Sequence, residues 1–221
     1  MSHYPLGSGI FFTSHEHMGE REKTSIYIAW RNDGHVKRGE KTMLPNQNIY
    51  RLSDEHMVFR PLFFLQEKLD RKINARTIQD EEIAKENYLK KVVGFRVEMG
   101  ELLNATRLHK YWSSGLPESK ERILDEYADG LHFLLSIGGE KKVGDFTYQG
   151  LYDGEIQPHD IMWLCDKLMT IPWMEIRKED YLLGLEMYLK LGELLLFTWE
   201  EIKEAYVTKN IENQERQNTG Y

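Results

Sequence analysis

The 221-residue sequence predicts an all-α protein, a helical bundle carrying a short N-terminal extension. Three observations point there. From Pro61 onward apolar residues recur every three or four positions, the period of a helix with one buried face. Glycine and proline gather in short runs, such as Gly115 with Pro117 and Gly138 with Gly139, and the stretches between them have helical length. Two acidic motifs, Glu98-x-x-Glu101 and Glu126-x-x-Asp129, lie inside such stretches at a spacing that places each pair of carboxylates on one helix face.

Taken in order, residues 1–60 differ from the rest and form an extension without an assigned role, and residues 61–221 form the helical domain. Within the extension, TSIYIAWRNDGHVKRGEKTML has a β-rich run followed by Asp33-Gly34; a hairpin turning at Asn32 to Gly34 and irregular structure are the two alternatives. The first helix carries the stripe Leu62, Leu65, Leu69 and Ile73. Asp80 then caps a long helix running through Val93, Val97, Leu102 and Leu108. The loop WSSGLPESK leads into a third helix that starts at Pro117 to Ser119, carries Leu124, Tyr127, Leu131 and Leu135, and ends at Gly138-Gly139. A turn-rich excursion covers 139–157. Helices resume over about 158–169, 178–196 and 198–213, the last opened by Thr198 and Glu201 in a capping-box arrangement.

Composition narrows the function. The formal net charge of -7 argues against a polyanion-binding surface, so no nucleic-acid partner is expected and a small-molecule partner is. The one cysteine, Cys165, allows no intrachain disulfide, and MSHYPLGSGIFF lacks a secretory signal, so the cytoplasm is the expected location. No apolar run approaches the roughly 20 residues needed to span a bilayer.

The acidic motifs carry the chemistry. Any single E-x-x-E on a helix is ordinarily a solvated face, but here apolar neighbours flank both pairs, Val97, Leu102 and Leu103 in one case and Tyr127, Leu131 and Phe133 in the other. Two such pairs on consecutive helices can face each other across an αα-hairpin. Four carboxylates suit hard divalent cations such as Mg²⁺, with two ions balancing the charge, and such ions bridge phosphate oxygens and acidify water. Between the motifs, Lys110 can meet phosphate charge and Trp112 can cover a base or simply plug a helix end. In TKNIENQERQNTGY, Lys209, Asn210, Asn213, Arg216 and Gln217 recur at helical or near-helical steps as donors suited to phosphate oxygens, against the ordinary reading of a frayed polar tail. Gln66, four residues from Asp70, can read a uracil edge or be a surface pair, and His132 is either a partner of Asp129 or a satisfied core histidine.

The segments LFFLQEKLDRKI, VEMGELLNATRLHKYWSSG, ILDEYADGLHFLLSIG, LGELLLFTWEEIKEAY and KNIENQERQNTGY, in this order, resemble the dimeric all-α dUTPases of the all-α NTP pyrophosphatase group. The likeness covers roughly residues 61–221. It implies Mg²⁺-dependent hydrolysis of dUTP to dUMP and pyrophosphate in a homodimer. It further implies ligation of two or more Mg²⁺ ions by Glu98, Glu101, Glu126 and Asp129, which also form the catalytic set. Phosphate contacts would come from Lys110, Lys209, Asn213 and Arg216, with Gln66, Trp112 and Phe133 around the uracil. Residues 1–60 have no counterpart in the pattern, and the turn-rich segment 139–157 is hard to match to it. A dCTP or other pyrimidine pyrophosphatase, and a binding or regulatory module with weak catalysis, are the alternatives.

Overall fold

The computed structural model describes residues 9–11, 27–29, 57–75, 81–148 and 158–219. Among them the chain forms strands β1 (Gly9–Phe11), β2 (Tyr27–Ala29) and β3 (Met57–Val58), then helices α1 (Arg60–Asn74), α2 (Glu81–Thr106) and α3 (Lys120–Glu140). Strand β4 (Thr147–Tyr148) and helices α4 (Pro158–Thr170), α5 (Lys178–Leu194) and α6 (Trp199–Thr219) follow. The protein is all-α with two short strand pairs. No described helix is long and apolar enough to cross a membrane.

The β-rich run of the extension does contain a strand, β2, and its described partner is β1, antiparallel with Gly9 opposite Ala29. The proposed turn at Asn32 to Gly34 lies outside the described residues, as does Asp80. Strands β3 and β4 pair antiparallel, Met57 opposite Tyr148, and Phe59 N–H continues the ladder to Phe146 O at 2.9 Å. Met57 and Phe59 are wholly buried, so the packed body begins a few residues before Pro61.

Helix α3 is the centre of the bundle. Ser119 caps it, its Oγ accepting from Arg122 N–H. It ends one residue beyond Gly138-Gly139, at Glu140, after which Lys142 takes a left-handed φ of 58° and Val143 N–H closes onto Gly138 O at 2.9 Å. Gly138 serves packing instead of termination: a Cβ there would stand 2.3 Å from Tyr181 Oη, which donates to Leu134 O. Helix α5 runs antiparallel to α3 and is locked to it by Tyr127 and Tyr188. The two rings stack with centroids 4.6 Å apart, and each hydroxyl donates to the other residue's carbonyl, at 3.1 and 2.6 Å. The capping box of α6 forms as expected, Thr198 N–H to Glu201 Oε2 at 2.8 Å and Glu201 N–H to Thr198 Oγ1 at 3.2 Å.

Two helix faces differ from the sequence reading. On α1 the buried residues are Leu62, Phe63, Gln66 and Leu69, while Ile73 is exposed, so the inward face is rotated to include the glutamine. On α2 the core takes Val92, Phe95, Met99 and Leu102, whereas Val93 and Val97 are 47% and 50% exposed. Both sides of α2 are apolar, so periodicity alone does not choose between them.

Candidate active site

Helices α2 and α3 run antiparallel: Lys91 pairs with Glu140, and the Phe133 ring lies over Gly94, where a Cβ would come within 2.5 Å of it. That register brings the two acidic motifs level. One carboxylate oxygen from each of Glu98, Glu101 and Glu126 lies within 4.8 Å of the others. Asp129 stands outside this group of three but beside it, its charge acting on both Glu98 and Glu126.

Exposure varies across the cluster: Glu126 is only 3% exposed, Glu98 is half-buried and Glu101 faces solvent. Burial first, then repulsion from Asp129, Glu101 and Glu126, pushes the Glu98 carboxyl up to about 7, with Lys209 opposing. Burial also raises Glu126, although Arg122, whose guanidinium contacts Glu126 Oε1, pulls the other way. Asp129 is raised by burial, opposed by its hydrogen bond and charge pairing with Lys209 and, more weakly, by Arg216. Carboxylates crowded in this way take up protons or a cation, and oxygen donors with one open side suit Mg²⁺. The residues present therefore fit a divalent ion.

Helix α6 supplies the cations. The C-terminal run is helical through Thr219, and Lys209 is buried with its ammonium 2.8 Å from Asp125 Oδ1 and 3.0 Å from Asp129 Oδ2. Burial lowers its pKa, but the hydrogen bonds to the two aspartates prevail and raise it. Arg216 Nη1 donates to Asn213 Oδ1 at 3.2 Å, so Lys209, Asn213 and Arg216 follow one another at steps of four and three along α6.

The residues expected around a base are placed unequally. Gln66 is 5% exposed and engaged on both amide atoms: Nε2 donates to Asp70 Oδ1 at 2.8 Å and Oε1 accepts from Tyr206 Oη at 2.7 Å. It is a node between α1, α3 and α6, not a surface pair. His132 joins that node instead of Asp129, with Nδ1 2.8 Å from Gln66 Oε1 and Nε2 3.1 Å from Tyr206 O. Burial pushes it down to about 4, so at pH 7 the neutral imidazole donates from one nitrogen to one of these two oxygens, a core histidine and not a partner of Asp129. Phe133 sits one helical turn from Asp129 and packs over α2. Trp112, 67% exposed, lies with half-buried Lys110 on the loop between α2 and α3, its ring edge-on to Tyr111 at 5.1 Å.

Sequence reasoning passed over Arg122 and Asp125. Arg122 precedes Glu126 by four residues, a spacing at which side chains meet on a helix, and that signal was available. Asp125 had the same signal at three residues from Arg122, but its pairing with Lys209 had none, because that lysine comes from a helix distant in sequence.

No curated protein matches the chain. A family model described as dUTPase matches residues 58–221, a span that holds α1, the acidic hairpin and the cationic helix. On that match the chain belongs to the dUTPase family and is a nucleoside triphosphate pyrophosphohydrolase, a dUTP diphosphatase.

Proposed function

We propose that the chain hydrolyses dUTP to dUMP and pyrophosphate in a Mg²⁺-dependent reaction centred on Glu98, Glu101, Glu126 and Asp129. The observation that carries this is the convergence of three carboxylate oxygens within 4.8 Å on α2 and α3, with Asp129 and the α6 cations alongside. Glu98, Glu101, Glu126 and Asp129 would hold two or more Mg²⁺ ions, which would supply Lewis acidity to the phosphate oxygens and acidify the attacking water. Glu101, the most exposed of the three, accepts the proton as the water oxygen bonds to the α-phosphorus, a role its access to solvent supports. The bond from the α-phosphorus to the bridging oxygen breaks, and pyrophosphate leaves with that oxygen. Lys209, Asn213 and Arg216 on α6, together with Lys110, hold the phosphate chain.

Phe133 and Trp112 offer rings for the uracil. Gln66 reads its edge by exchanging the bonds it makes to Tyr206, His132 and Asp70, an exchange that favours a base able to satisfy the same amide. The functional unit is a homodimer in the cytoplasm. The exposed stripe Leu89, Val93 and Val97 on α2 is the face a second copy covers.

The test is pyrophosphate release from dUTP, dCTP, dTTP and UTP, each with Mg²⁺ and with excess chelator. Selective, chelator-sensitive release from dUTP supports the reading. Preference for dCTP contradicts the uracil assignment, and unchanged release in chelator contradicts the metal.

A further inference from the structure

We propose that Asp125, an acid outside both motifs, is a positioning residue that receives Lys209 when a divalent cation takes Asp129. The inference rests on the reading of the acidic cluster as a divalent-cation site. Two cations in this structure are each shared between one acid of that cluster and Asp125. Lys209 Nζ lies 2.8 Å from Asp125 Oδ1 and 3.0 Å from Asp129 Oδ2. Arg122 Nη1 lies 3.0 Å from Asp125 Oδ2 while Nη2 contacts Glu126 Oε1. Asp125 is thus the common acceptor of both cations, one on each oxygen.

A divalent ion on Asp129 repels an ammonium held at the same carboxylate, since charges a few ångströms apart in a partly buried site interact strongly. The Lys209 side chain is only 10% exposed, and an ammonium left unpaired there is costly. Asp125 removes that cost. Already within hydrogen-bonding distance, it keeps the lysine paired after Asp129 is surrendered, with no change in the backbone of α6. It does the same for Arg122 when Glu126 is surrendered. Both positive charges stay at the rim of the cluster, where a phosphate chain meets them. Without Asp125, Lys209 is left on Asp129 of the cluster and Arg122 on Glu126 and, at 3.7 Å, Glu118, so the lysine above all competes with the incoming ion.

The experiment is a double-mutant cycle on the full chain, read as Mn²⁺ affinity from the electron paramagnetic resonance signal of the free ion, with no nucleotide present. The proteins are the parent, D125N, K209M and D125N/K209M, with D125E as the conservative variant. The expected result is that D125N weakens Mn²⁺ binding roughly 3- to 10-fold in the presence of Lys209 and clearly less in K209M, the coupling expected of residues in one ion-pair network. D125E restores the parent affinity. An equal loss in both backgrounds overturns the proposal, because Asp125 would then act only as a nearby charge, and so does no loss in either. Absence of Mn²⁺ binding by the parent refutes the metal site itself. Binding with the expected coupling but no dUTP turnover leaves the proposal standing and refutes the proposed function.

Discussion

At the scale of single residues, the cluster predicts its own pH dependence. Glu98 is held up to about 7 in the fold against an ordinary 4.5, so the folded chain keeps its proton more tightly than the unfolded one. Its contribution to stability is complete below the ordinary value and disappears as pH rises through about 7. His132, held down to about 4 by burial, contributes in the opposite sense up to its ordinary 6.5, so the Glu98 contribution is read as a difference: relative to Glu98→Gln, the metal-free protein should lose thermal stability as pH rises from 5 to 8. Parallel melting curves of the two proteins check this, and identical pH dependence would contradict the electrostatic account of the cluster. Glu101→Gln keeps the shape but removes a charge and the proton acceptor. Turnover should fall by about 10²- to 10⁴-fold, the usual range for a general base, whereas a near-parental rate would remove Glu101 from the reaction. The acidic residues were legible because helical spacing converts sequence position into direction. What Gln66 and His132 do was not, since a three-helix hydrogen-bond node has no local spacing.

At the scale of elements, the tyrosine lock between α3 and α5 holds in place the helix that carries Glu126 and Asp129, while the pairing of that helix with α2 sets their register against Glu98 and Glu101. Gly130 makes room for Tyr188 and Gly192 for Tyr127: a Cβ at either would lie 2.3 Å or 2.6 Å from the facing hydroxyl. Gly130→Ala should destabilise the protein by about 1–3 kcal/mol, the usual cost of overpacking, measured by denaturant unfolding; a neutral effect would show that the two helices can part without penalty. Removing residues 212–221 shortens α6 but leaves buried Lys209 and Asn210 in place. The truncated chain should fold and show a raised KM for dUTP through loss of Asn213 and Arg216, and unchanged kinetics would take these residues off the phosphates. Helix number, order and caps were readable because loop breakers and capping residues act locally, as Ser119 and Thr198 show. The inward face of α2 was not, because Val93 and Val97 are as apolar as Val92 and Phe95, and only the pairing with α3 decides between them.

For the whole molecule, that ambiguous second face is where a single chain leaves apolar surface uncovered. If a second copy covers Leu89, Val93 and Val97, the protein should sediment as a dimer and Val93→Asp as a folded monomer; a monomeric parent would refute the homodimer. The central claim, that the paired motifs of α2 and α3 direct water to the α-phosphate of dUTP, is tested most directly by turnover in ¹⁸O-labelled water, with Mg²⁺ and with excess chelator. Label in the phosphate of dUMP, none in pyrophosphate, and no reaction under chelation is the predicted result. Label in pyrophosphate, or turnover that survives removal of the metal, would contradict it.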